Sequence, residues 1–154
     1  MSVESDLGEL VSQRIREVNQ AVPESIGPMM DFRVTGWDAG SQELTMTCRT
    51  APWMRNFAGT LHGGMCATIL DQAMGFVAYC CKPREGTAPT VQMSVNYHRP
   101  LIPGELALVK VRLVSVTRSF ANLSCEAYNA ATPEKICLSG TGLYFFKEKN
   151  PTNS

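Results

Sequence analysis

The sequence predicts an α+β domain in which a mostly antiparallel sheet of six strands surrounds one long apolar helix, with an amphipathic helix at the N-terminus. Three observations predict it. The periodicities run in the order helix, two strands, helix, four strands. Neither a βαβ alternation nor a Rossmann glycine fingerprint occurs, which argues against a doubly wound parallel sheet. The length of 154 residues suits a single domain able to bury a core without metal or disulfide staples. We therefore expect one domain over 1–154, with a helix within 1–22, a core of about 30–147 and a frayed tail over 148–154.

Between residues 5 and 20, Leu7, Leu10, Val11 and Ile15 recur at helical spacing among charged residues, which predicts an amphipathic helix. The Pro-rich stretch AVPESIGP should end it and lead into extended chain. Phe32 and Val34, then Leu44, Met46 and Cys48, alternate with polar residues on either side of the turn DAGS, a hairpin pattern. The apolar run from Met65 to Cys81 predicts a helix, with Gly75 an internal weak point. Val91, Met93, Val95 and Tyr97 give the most regular strand alternation. Strands through Ala107–Leu113, Phe120–Asn129 and about Lys135–Phe146 follow, the last with Gly140 and Gly142 on one face, where something is expected to approach closely.

Composition narrows the function. Fourteen basic and fourteen acidic residues cancel, so no global field is available to hold nucleic acid or an anionic membrane. The stretch from Gly63 to Cys81 is about as long as a membrane span, but Asp71 and Gln72 near its centre make a core helix the better reading. Six cysteines without a C-x-x-C pair, behind a charged N-terminus with no apolar leader, predict free thiols, a cytoplasmic protein and no structural zinc. His62 and Cys66 stand at i, i+4, but no third ligand is spaced to complete a metal site.

The segment NFAGTLHGGMCATILDQAMG carries the chemistry. Adjacent glycines at a loop-to-helix junction expose backbone N–H donors at the positive end of the helix dipole, which can hold an oxyanion or simply make a tight turn. Asp71 lies eight residues beyond Gly63, about 12 Å along a helix and about 80° around it. A buried carboxylate there is either a satisfied polar group of the core or a functional acid. One carbonyl cannot touch both Gly63 and Asp71 of one chain, so if both act together an antiparallel second copy must complete the site.

The combination of Asn56, His62-Gly63-Gly64 and a helical Asp71, followed by four strands, resembles the active-site segment of hotdog-fold acyl-CoA thioesterases, in the PaaI-like branch of the 4-hydroxybenzoyl-CoA thioesterase superfamily. The resemblance covers about residues 30–147. It implies a curved antiparallel sheet wrapped around a central helix, a homodimer with shared sites and a dimer-of-dimers tetramer. It further implies hydrolysis of an acyl or aryl thioester, with coenzyme A entering as part of the substrate and no other cofactor. By the same resemblance, Asp71 is the base or nucleophile and the Gly63 N–H of the facing protomer polarises the carbonyl. Gly64 supports that approach, Asn56 orients substrate or water, His62 holds the loop, and Thr90 helps place the hydrolytic water. Gln72 and Met74 would line the acyl pocket. Arg118 in the T-R-S turn, then Arg99, Arg84 and Lys82, are candidates for the coenzyme phosphates or are solvated surface charges.

Two other readings stand beside hydrolysis. An enoyl-thioester hydratase of the same fold resembles this pattern less, because that branch pairs its Asp with a His a few residues on and no His follows Asp71 before His98. A non-catalytic acyl-thioester binding protein would keep the fold and release no thiol.

Overall fold

The structure, a computed structural model, describes residues 7–82 and 85–150. Arg84 lies outside the described residues, as do the ends 1–6 and 151–154. The elements in order are α1 (Leu7–Ala21), α2 (Ile26–Met29), β1 (Arg33–Asp38), β2 (Glu43–Arg49), α3 (Gly63–Cys80), β3 (Gly86–Thr87), β4 (Thr90–Tyr97), β5 (Leu106–Val116), β6 (Phe120–Asn129), β7 (Ile136–Phe145) and β8 (Lys147–Glu148).

Six strands form one antiparallel sheet in the order β1-β2-β5-β6-β7-β4. Its inner face is written in the alternation of the strands. Leu44, Met46 and Cys48 are buried on β2, Ala107, Val109 and Val111 on β5, and Ala121, Leu123, Cys125 and Ala127 on β6. Against that face lies α3, burying Cys66, Ile69, Leu70, Ala73, Met74, Phe76, Val77 and Ala78. Each fully buried Ile, Leu, Met or Val here contributes about 1.5–3 kcal/mol through apolar burial, so truncating Leu70 to Ala should cost about 2–5 kcal/mol. Leu7, Val11 and Ile15 of α1 join the same core, whereas Leu10 remains partly exposed. Arg14 lies 4.0 Å over the Tyr79 ring and ties the outside of α1 to α3.

Two expectations are corrected. The Pro-rich link does not run straight into extended chain: residues 26–29 make a helical turn, which tolerates Pro28 because the first-turn N–H groups have no acceptor. Asp31 follows that turn at φ +46, a left-handed conformation open to Asp. The tail is ordered through Lys149, because β8 pairs with β3 and the Lys149 N–H donates to the Glu85 carbonyl. The strand with the most regular alternation forms as expected, and it is mostly exposed. β4 is an edge with a bulge between Thr90 and Gln92, and Val91 and Tyr97 are each 56% exposed.

Candidate active site

Helix α3 begins two residues before its apolar run because His62 caps it. The His62 Nδ1 accepts the Gly64 N–H at 3.0 Å, and the His62 backbone (φ −59, ψ 137) is still extended. The ring nitrogen acting as acceptor is therefore unprotonated. Gly64 is committed to this cap, and a Cβ on it would crowd His62 Nδ1 at 3.3 Å. Gly63, as the first helical residue, has an N–H without an intrahelical acceptor. Its carbonyl accepts the Tyr97 hydroxyl at 2.7 Å.

Asn56 organises the loop before the cap. Its Oδ1 accepts the N–H groups of Ala58 (3.0 Å) and Thr60 (3.2 Å), while its Nδ2 donates to Thr60 Oγ1 at 3.0 Å. Asn56, Gly63, Tyr97, His98 and Arg99 line one open hollow. There Arg99 is steadied by donating from Nη1 to the Ile136 carbonyl at 3.0 Å.

Asp71 stands elsewhere. Its Oδ1 accepts the Thr90 hydroxyl at 2.7 Å and the Tyr144 hydroxyl at 2.7 Å; Tyr144 also lies 3.1 Å from the Asp71 backbone carbonyl. Burial, reinforced by the adjacent carboxylate, pushes the Tyr144 phenol up, so it remains a proton donor at any physiological pH. Arg118 is at this end of the sheet, in the turn from β5 to β6, and its carbonyl accepts Lys82 Nζ at 2.9 Å.

The predicted residues thus fall into two groups. Asp71 and Thr90 meet at the middle of α3, with Arg118 and Lys82 beyond them; Asn56, His62, Gly63, Gly64 and Arg99 gather at the start of α3. Met74 is fully buried, with its sulfur against Gly142, and the Gln72 amide packs on Gly27 of α2. Sequence reasoning passed over Tyr97 and Tyr144. The readable signal for Tyr144 was a tyrosine two residues after Gly142 on the same inward face.

Other chemistries have less support. Cys66 is buried, its thiol is pushed up to about 11 mainly by burial, and the His62 ring is occupied by Gly64. Among the described residues no three His, Cys, Asp or Glu side chains converge to hold a metal, and no helix is long and apolar enough to cross a membrane.

Comparison with known proteins agrees with this architecture. The model of the family described as "Thioesterase superfamily" matches residues 58–135. The chain is 31% identical over 127 residues to human acyl-coenzyme A thioesterase 13, covering 82% of this chain and 90% of that one. Among solved structures, a phenylacetic acid degradation-related protein from Ralstonia eutropha superposes with a TM-score of 0.75 at 18% identity, over 89% of this chain and 99% of that one. A Streptococcus mutans protein bound to acetyl CoA superposes with a TM-score of 0.65 at 23% identity, over 77% and 90%. With its six-stranded antiparallel sheet around α3 and its matching central segment, the chain belongs to the thioesterase superfamily and has the hotdog fold.

Proposed function

We propose that the protein is an acyl-CoA thioesterase, hydrolysing an acyl or aryl thioester of coenzyme A to the free acid and the thiol at sites shared between two protomers. The single observation that carries the reading is the placement of two half-sites at opposite ends of the exposed edge strand. Asp71 is tied to Thr90 at the start of β4, and Gly63 to Tyr97 at its end. An antiparallel pairing of β4 with its own copy, centred between Met93 and Ser94, sets Thr90 opposite the partner's Tyr97. Such an isologous contact brings Asp71 of one protomer toward Gly63 of the other, twice. It also covers the unpaired edge and its exposed Val91 and Tyr97. Such dimers then associate in pairs as a tetramer.

In each site the thioester carbonyl oxygen lies against the Gly63 N–H, where charge develops on attack, and one such donor is worth about 3–4 kcal/mol. Asp71 takes a proton as water bonds to the carbonyl carbon, or attacks that carbon itself to give an anhydride that water then opens. The tetrahedral adduct collapses with cleavage of the C–S bond, and the thiolate leaves and is protonated. Thr90 keeps its oxygen lone pairs for the attacking water while its proton is held by Asp71. Arg99 beside Gly63 and Arg118 beyond Asp71 flank the shared site as contacts for the coenzyme phosphates. The name of the human relative and its identity support the substrate class.

The test is thiol release across aryl, short, medium and long acyl-CoA substrates, with Asp71→Asn as control. Equal turnover by wild type and variant would sink the reading. Sharing is tested by mixing Asp71→Asn with Gly63→Pro. Two inactive proteins should regain about a quarter of wild-type activity as mixed dimers form, because each mixed dimer holds one intact site. If activity does not return although mixed dimers are present, each site lies within one chain.

A further inference from the structure

Two glycines that the proposed chemistry does not use explain how Asp71 is held. Gly142 lies two residues before Tyr144 on the inward face of β7, and a Cβ on it would come within 2.7 Å of Tyr144 Cε2. On the other side of the ring, Gly75 of α3 faces Tyr144 Cε1, where a Cβ would sit at 3.8 Å. The ring therefore lies flat along β7 in a slot cleared by Gly142 and bounded by α3. Tyr144 is only 1% exposed, and its hydroxyl emerges beside Asp71, one helical turn before Gly75.

At that point it holds Asp71 twice. Its proton is shared between Oδ1 at 2.7 Å and the Asp71 main-chain carbonyl at 3.1 Å, which fixes the side chain relative to its own backbone. Thr90 donates to the same Oδ1 at 2.7 Å. A carboxylate oxygen has two lone pairs, and Oδ1 has two donors. The lone pairs left for a proton or a carbonyl carbon are those of Oδ2.

We infer that Tyr144, seated in the Gly142 slot, is a positioning residue that saturates Asp71 Oδ1 together with Thr90 and makes Oδ2 the reacting oxygen. The inference rests on the thioesterase reading of the site. Tyr144 acts only through Asp71, from behind, and needs no contact with substrate. Its effect falls on the chemical step and leaves substrate affinity alone.

The experiment compares steady-state kinetics of the full-length oligomer as wild type, Asp71→Asn, Tyr144→Phe, Gly142→Ala and Gly142→Ala/Tyr144→Phe, with melting temperature and oligomeric state recorded for each. Tyr144→Phe keeps the ring and removes only the donor, and is expected to lower kcat by about tenfold with KM unchanged. Gly142→Ala crowds Tyr144 Cε2 at 2.7 Å and the Met74 sulfur and methyl at 3.0 Å, and should lower kcat by a similar factor by shifting the ring. The double variant should be no slower than either single one, since both break the same bond. An inert Asp71→Asn alongside a Tyr144→Phe of wild-type kcat overturns the inference alone. So does a Tyr144→Phe that changes only melting temperature, or kcat losses that multiply in the double variant. An Asp71→Asn as active as wild type overturns the reading of the site and this inference with it.

Discussion

The middle and the start of α3, which the proposed reaction brings together across two protomers, are held by opposite means. At Asp71 the proposed reacting group is a side chain held by two other side chains, Thr90 and Tyr144, against a closed apolar interior. At the Gly63 end it is a main-chain N–H, held by a helix cap and a loop that Asn56 stitches to itself, in an open hollow. A carboxylate must be aimed, and aiming takes neighbours with hydroxyls. An N–H at a helix start is aimed by the helix itself. The middle of the helix should therefore be sensitive to side-chain chemistry and its start to backbone chemistry.

The largest effect should come from Asp71→Asn, which keeps shape and burial while removing the base: kcat should fall by about 10³ or more in the thiol-release assay. Next, Gly63→Pro removes the N–H and adds a ring whose Cβ sits where that of Gly63→Ala would. Proline suits a first helical position, and the extended His62 before it suits a following proline. Turnover should drop by about 10²–10³, the worth of one oxyanion donor, with melting temperature nearly unchanged. Gly63→Ala keeps the N–H, and its Cβ would meet Tyr97 at an ordinary 3.6 Å, so it should lose far less. If Gly63→Ala and Gly63→Pro are equally slow, the end works through space rather than through its N–H.

A smaller effect is expected at the cap. His62→Ala should cost about 1 kcal/mol of stability by thermal or urea unfolding, and His62→Asn, another capping side chain, should recover most of it. The smallest lies outside both regions. Asp31 is held below its ordinary value chiefly by its hydrogen bond from Arg33, with Arg49 adding to this and partial burial opposing it. Its contribution is present above about pH 4, the unfolded carboxylate range, and is lost as pH falls through the depressed folded value. On a partly exposed pair it amounts to about a few tenths of a kcal/mol. Asp31→Asn should therefore lower the melting temperature slightly at pH 7 and by progressively less as pH falls through the depressed folded value, with kcat unaffected at pH 7.

The same contrast governs how much of the molecule is legible in sequence. The core helix and most strands can be read because their burial is local and periodic: Leu44, Met46 and Cys48 alternate in sequence as they do in space. Asp71 and the His-Gly-Gly cap also stand out, being odd residues in a regular context. Gln72 and Met74 diverge because adjacency to Asp71 does not fix a face: each step turns about 100°, which carries one onto α2 and the other into the core. Tyr144 is 73 residues from its partner, so no window of sequence joins them. β4 is the opposite case, since its regular alternation finds only part of its cover within this chain.

One small feature reaches further than its size. The two-residue ladder of β3 and β8 joins the segment after α3 to the last described residues, so tightly that a Cβ on Gly86 would overlap the Lys147 carbonyl. Thr90 follows only three residues after that ladder. Residues 147–148 thus tether a segment that leads straight to Thr90, the hydroxyl partner of Asp71. In practical terms, trimming the chain at Phe146 during expression would remove the strand that anchors the approach to Thr90 and Asp71, so it is expected to lower turnover in the thiol-release assay.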